Sequence, residues 1–175
     1  MRHRYARKTD LPAIMTIIHQ AKARMKAQHI DQWQDGYPNE ESIFNDIAHK
    51  QGYVFIIKDE IVAYAAIVFE HDPYYDKIDG QWLTDMPYVV VHRIAVHDRH
   101  THQGIAKQIL NTAEKLANKK DVQSFRIDTH QANHFMRNLI RQHGFTLCGI
   151  VQVRDGRRMA YEINLQSRHN ESCQA

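Results

Sequence analysis

The sequence predicts a single α/β domain, and three observations carry that prediction. Runs rich in Val, Ile and aromatics recur in pairs split by short polar turns, as antiparallel hairpins require. An almost unbroken apolar stretch, YVVVHRIAV at residues 88–96, reads as a strand buried on both faces. Directly after it, residues 104–118 place Ile105, Ile109, Leu110, Ala113 and Leu116 at helical spacing. At 175 residues with 43% hydrophobic content, the chain suits one compact core.

Taken in order, residues 4–8 read as a first strand. Thr9 or Asp10 then caps a helix whose apolar positions Leu11, Ile14, Ile17, Ile18 and Ala21 keep the 3.6 period, with Pro12 near its start. Gly36 and Pro38 break the pattern, and Asn39 leads into a second helix over residues 40–49. Residues 53–58 and 61–70, parted by Asp59 and Glu60, read as a hairpin, and a polar insertion follows over 71–85. Beyond the central strand and its helix come a strand at 124–129, a helix at 133–143 closed by Gly144, and strands at 146–153 and 159–165 joined through Asp155-Gly156. The domain is thus expected over residues 1–165, with a polar tail at 166–175.

Composition narrows the function classes. Net charge is +3, from 23 basic and 20 acidic residues, without the clustered basic face expected of a nucleic-acid binder. Cys148 and Cys173 have no metal-ligand spacing, and a disulfide framework is not expected. His97, His100 and His102 alternate, but no Cys or carboxylate completes a zinc ligand set, and no metal is expected. Neither a signal peptide nor an apolar run of about 18 residues is present, so a cytoplasmic location is the expectation.

The chemistry concentrates where the central strand turns into its helix. At residues 101–106, Thr101, His102, Gln103, Gly104, Ile105 and Ala106, a glycine and a small residue let a ligand approach the backbone. The N–H groups and dipole of a helix N-terminus favour a phosphate there. The bland alternative is a glycine that only tightens a turn. A phosphoryl-transfer loop is excluded, because Ile105 stands where Lys-Ser/Thr would follow the glycine.

The segment RIAVHDRHTHQGIAKQIL, residues 93–110, resembles the central motif of the GNAT superfamily of N-acetyltransferases, whose pyrophosphate loop follows Arg/Gln-x-x-Gly-x-Gly/Ala. Gly104 and Ala106 match, and Thr101 replaces the usual Arg or Gln. NHFMRNLIRQHGF, residues 133–145, resembles the family's later motif. The resemblance implies a mixed, mostly antiparallel sheet with a splayed central strand pair, flanked by about four helices. It also implies acetyl-CoA as acyl donor and a primary amine, small or on a peptide, as acceptor, with homodimers common.

By position in the motif, the Ile94 N–H is the donor to the thioester carbonyl, and Val96 contacts the pantetheine arm. A lost donor of this kind typically costs about 10²- to 10³-fold in rate. His92, two residues earlier, is the first candidate to take the proton of the attacking amine, as its counterpart does in arylalkylamine N-acetyltransferases. A structural role inside the sheet is the even alternative. His130 is the reserve, and Asn133 a candidate to stabilise the leaving thiolate. Where many relatives place a proton-donating Tyr, four residues before the closing glycine, this chain has Ile140, so a non-catalytic acyl-CoA sensor is the alternative function.

The resemblance puts the acceptor among the first two helices and the hairpin loops, where Trp33 and Tyr37 are the candidate substrate-binding residues beside His29, Tyr74, Tyr75 and Trp82. Local packing accounts for such aromatics equally well. Arg99 and Lys107 are further candidates for phosphate contacts, as are Arg137 and Arg141, with solvated faces as the alternative.

Overall fold

The computed structural model describes residues 1–167, so Cys173 and positions 168–175 of the expected tail lie outside the described residues. Eight strands form one sheet in the order β1-β2-β3-β5-β6-β8-β7-β4. They are β1 Arg2–Tyr5, β2 Gly52–Ile57, β3 Glu60–Val68, β4 Ile78–Gly80, β5 Tyr88–Val96, β6 Ser124–Thr129, β7 Thr146–Val153 and β8 Gly156–Asn164. Among the described residues, four substantial α-helices accompany them: α1 Leu11–Ala27, α2 Glu40–Ala48, α3 Ile105–Lys119 and α4 His134–Gln142. The mixed character of the sheet resides in β5 and β6, which run parallel, whereas β1–β2, β2–β3, β6–β8, β7–β8 and β4–β7 are antiparallel. The parallel ladder pairs only Tyr88–Val90 with Ser124–Arg126, and Val91–Val96 of β5 run on beyond it.

The chain divides into two compact units, Met1–Val68 with Val91–Ile109, and Phe69–Val90 with Leu110 onward. In the first, the apolar stripe of α1 buries Ile14, Ile17, Ile18 and Ala21 in a cluster with Trp33, Ile43, Val54, Tyr64 and Ala95. At roughly 1.5–3 kcal/mol per fully buried aliphatic side chain, this stripe anchors the helix. In the second, Phe125 meets Phe145 edge to face at 4.8 Å, and Ile140, Val151, Ala160 and Tyr161 are buried.

Several element boundaries differ from the sequence reading for physical reasons. The first strand covers residues 2–5 because its partners are Tyr53–Ile56 of β2. Residues 8–10 instead form a 3₁₀ turn. Asp10 stands before α1 without capping it through its side chain: its carboxylate accepts the Arg7 N–H at 2.7 Å and the Arg4 guanidinium at 2.7 and 2.9 Å. Those hydrogen bonds, led by Arg4, hold the Asp10 pKa below the usual aspartate value. Asn39 caps α2 as expected, its Oδ1 accepting the Ser42 N–H at 2.9 Å.

The polar insertion is not structureless. It contains a 3₁₀ turn at Pro73–Tyr75 and strand β4, which pairs with β7. Gly80 and Gly149 pass so closely that a Cβ on either would stand 2.2 Å from a carbonyl oxygen of the other strand. The insertion is fastened further by Glu162, fully buried on β8. Its Oε2 accepts the Leu83 N–H at 2.6 Å, and its Oε1 accepts the Thr84 and Ser124 hydroxyls at 2.7 and 2.5 Å. Arg126 lies beside it, donating to the Thr84 carbonyl at 2.6 Å and stacked 4.2 Å from both the Trp82 and Tyr88 rings.

Candidate active site

β5 brings His92, Arg93, Ile94 and Val96 to the first unit, and its course is interrupted at Arg93, where φ is +55°. An L-residue pays about 1–2 kcal/mol for that left-handed conformation, so neighbours must hold it there. Burial along the strand records the break. Tyr88–Val91 are buried, His92, Arg93 and Ile94 are all half-buried in succession, and Ala95 is buried again. Strict alternation would not place three such residues in a row, whereas a bulged residue does.

What holds Arg93 is a network that the sequence reading missed. Its Nε donates to Asp46 Oδ2 at 2.8 Å and its Nη2 to Oδ1 at 2.5 Å, a two-point pair with side-chain exposures of only 13% and 2%. A third nitrogen donates to the Tyr37 hydroxyl, and the guanidinium carbon lies 5.8 Å from the Tyr37 ring centroid. Tyr64 donates its hydroxyl to Asp46 Oδ2 at 2.6 Å. Burial penalises the Arg93 charge, but the Asp46 carboxylate, with Tyr37 and Tyr64, outweighs it and raises the pKa above the ordinary arginine value. Burial, reinforced by Asp46, drives the Tyr64 phenol far above the tyrosine range.

After Val96 the chain enters a loop gripped by α1. Arg24 donates to the Val96 carbonyl at 2.9 Å and pairs with the Asp98 carboxylate, and Gln20 accepts the Asp98 N–H at 2.9 Å. His97 Nδ1 accepts the Arg99 N–H at 3.2 Å, which needs a neutral ring at that nitrogen. Burial, aided by the charge of Arg99, accordingly lowers its pKa. Thr101 Oγ1 donates to the Asp98 carbonyl at 3.0 Å, so this side chain braces its own turn. Arg99 pairs with Glu60 at 2.6 Å. His102 and Gly104 are exposed with φ of +60° and +74°, and no atom lies within 4 Å of where a Gly104 Cβ would stand. Gly104 therefore serves the conformation of an open turn and does not relieve a packing clash. α3 begins at Ile105, one residue later than the sequence reading placed it, and its first-turn N–H groups have no acceptor within the helix by geometry.

In the second unit, Asn133 caps α4 by accepting the Met136 N–H at 3.1 Å. His130 Nδ1 accepts the Ala132 N–H at 3.1 Å, which places the proton of the neutral ring on Nε2 and makes that nitrogen a donor. Ile140 is fully buried. Arg137 donates to the Gln131 carbonyl at 2.9 Å. Of the aromatics named from sequence, Trp33 is 8% exposed within the first unit's core, and the partly buried Tyr37 packs against the same cluster. Tyr75 donates to Asp128 at 2.7 Å, and Trp82 donates to the Tyr75 carbonyl at 3.0 Å. Among the described residues, no group of three or more His, Cys, Asp or Glu is placed to hold a metal ion, and no helix is long and apolar enough to cross a membrane.

The model of the acetyltransferase (GNAT) family matches residues 17–145, a span that includes both the bulged strand and the Gly104 turn. The chain belongs to the GNAT acetyltransferase family. Among solved structures, a GNAT-family acetyltransferase from Streptococcus agalactiae is 34% identical, covering 93% of this chain and 94% of its own, with a TM-score of 0.85. The GNAT fold is shared at lower identity with PaiA N-acetyltransferase from Thermoplasma acidophilum, solved in complex with coenzyme A (16%, covering 93% and 98%, TM-score 0.68). It is shared likewise with ribosomal-protein-alanine N-acetyltransferase from Brucella melitensis (18%, covering 94% and 100%, TM-score 0.68). Comparison with curated proteins gave no match.

Proposed function

We propose that this GNAT protein is a cytoplasmic N-acetyltransferase that moves an acetyl group from acetyl-CoA to a primary amine by direct attack. The observation that carries the reading is the open turn at Gly104, with its left-handed backbone, clear space on its outer side and the amide groups of α3 behind it. That arrangement fits a pyrophosphate, which backbone N–H groups of residues 102–106 would hold. The coenzyme A complex of the Thermoplasma neighbour supports a donor of this type. Thr101 contributes to the loop's shape and not as a side-chain ligand, since its hydroxyl is spent on Asp98.

When bound, acetyl-CoA supplies the activated acyl thioester. The Ile94 N–H would donate to its carbonyl oxygen, in the strand segment that runs beyond the parallel ladder. Val96 would meet the pantetheine arm through its N–H, because its carbonyl already accepts from Arg24. His92, half-buried beside the bulge, is the residue we assign to accept the amine proton. His130 is the reserve for proton transfer, and Asn133 the candidate to stabilise the leaving thiolate, its side-chain oxygen accepting at the α4 cap. The acceptor class follows the family, whose Brucella member carries a protein alanine amine in its name.

A second reading, an acyl-CoA sensor without turnover, is favoured by the burial of Ile140 where a proton donor would stand. Calorimetric titration with acetyl-CoA tests the donor site, using Gly104→Glu to fill the turn with bulk and charge and His92→Ala as a control. Binding that survives His92→Ala and is lost in Gly104→Glu is expected. Release of free thiol on adding small or peptide amines then separates enzyme from sensor, and absence of binding by the unaltered protein overturns both.

A further inference from the structure

We infer that Asp46 is a positioning residue, acting through Arg93 to hold the bend in β5 that aims the Ile94 N–H. The inference rests on the reading of β5 as the thioester-binding strand. A left-handed arginine in mid-strand is unfavourable on its own account and persists only where its surroundings impose it. Here the imposing group comes from another element. Asp46 projects from α2 on the same face as Ile43, three residues earlier, so an acidic side chain sits where the helix's apolar stripe would run. It takes both Asp46 oxygens to hold the guanidinium fork, and the third guanidinium nitrogen is held by Tyr37.

Stability is a poor reason for such a pair, because buried ion pairs are often no better than apolar residues of the same volume. What the pair supplies is geometry. A fork held at three points leaves Arg93 little freedom to relax into the extended form. Relaxation would return His92 and Ile94 to the common face that residues two apart share in a regular strand, and would turn the Ile94 N–H with them. The clamp is itself braced: Tyr64 fixes Asp46 Oδ2, and Gly52 makes room for Tyr64, since a Cβ at position 52 would stand 2.8 Å from the Tyr64 hydroxyl. All of these groups lie within one compact unit.

The test reads the hydrogen bond directly. Acetyl-CoA isotope-labelled at the thioester carbonyl is bound to the full chain, and the carbonyl stretch is followed by difference infrared spectroscopy, with affinity taken from calorimetry. The unaltered protein should bind and shift the band to lower frequency. Asp46→Asn should still bind but return the band towards its free position. Asp46→Asn combined with Arg93→Gly should restore the shift, because glycine adopts positive φ without the clamp. A purely structural role for Asp46 predicts the reverse, with the double variant worse than the single. Should Asp46→Asn fail to fold, Tyr64→Phe removes only the bracing hydroxyl and should give a partial return of the band. An unmoved band in a folded, liganded Asp46→Asn or Tyr64→Phe protein overturns the inference, as does failure of Arg93→Gly to restore it. Absence of binding by the unaltered protein removes the donor-site reading instead, and this inference with it.

Discussion

Substituting Glu162 by glutamine probes how the insertion is fastened, and its cost can be worked from the contacts. Glutamine keeps the shape but must place an NH₂ group at one of the two carboxylate positions. At Oε2 it would oppose the N–H groups of Leu83 and Thr84, 2.6 and 3.4 Å away, which cannot become acceptors. It therefore settles at Oε1, where the Thr84 and Ser124 hydroxyls can rotate to accept, but there it faces Arg126 Nε at 3.4 Å. Hydrogen bonds to a charged group are worth about 1 kcal/mol more than neutral ones, and removing one partner of a buried pair typically costs about 3–5 kcal/mol. Arg126 keeps its bond to the Thr84 carbonyl and its stacking on Trp82 and Tyr88, which favours the lower end, about 3 kcal/mol. For a chain of this size each kcal/mol moves Tm by about 2–4 °C, so scanning calorimetry at neutral pH should show a fall of about 6–12 °C. Hydrogen exchange at the Leu83 amide should accelerate more than the global stability change requires. A fall below about 2 °C would refute the view that these Glu162 contacts fasten the insertion.

Ala at Gly149 or at Gly80 places a methyl 2.2 Å from a backbone oxygen and should detach β4 from β7, seen as lost amide protection over residues 78–80 and a lower Tm. Ala at Gly104 meets no such obstacle, so only its φ of +74° opposes it. A loss of about 1–2 kcal/mol in denaturant melts is expected, with a disproportionate loss of acetyl-CoA affinity. At high pH the raised phenols of Tyr64 and Tyr75 make the folded state the stronger proton binder. Stability is therefore intact below the ordinary tyrosine value of about 10 and falls as pH rises above it, with the phenolate absorbance of these two residues appearing only as the protein unfolds. Asp10 works in the opposite sense. Its lowered pKa adds stability above the ordinary aspartate value of about 4, lost as pH falls towards its folded value, and Arg4→Met should flatten that part of the acid profile.

What could be read from sequence follows from how local the controlling signals are. β5, β6 and β7 match the sequence reading residue for residue because each is a run of apolar or β-branched residues bounded by polar turns. β4 escaped notice because three residues, Ile-Asp-Gly, carry no period, and its existence depends on Gly149 lying some seventy residues away. The turn at 101–106 was legible because a helix start, a glycine and a small residue are adjacent in the chain. The Asp46–Arg93 pair spans 47 positions, and no local pattern joins its ends. Its only trace is a charge in each of two apolar settings, Arg93 within the central strand and Asp46 on the buried side of α2. Each reads singly as an ordinary surface residue.

The order of strands leaves β1 and β4 at the two margins of the sheet, and both are brief, four residues and three. An open margin offers unpaired N–H and C=O groups to any passing extended chain, and length is what makes that offer dangerous. β1 reads Arg-His-Arg-Tyr, and β4 is preceded by Lys77 and contains Asp79. A second chain adding itself to either margin would gain few backbone bonds while bringing charges into register. The sheet is thereby guarded against growing from molecule to molecule, even though its interior strands are among the most apolar stretches of the sequence.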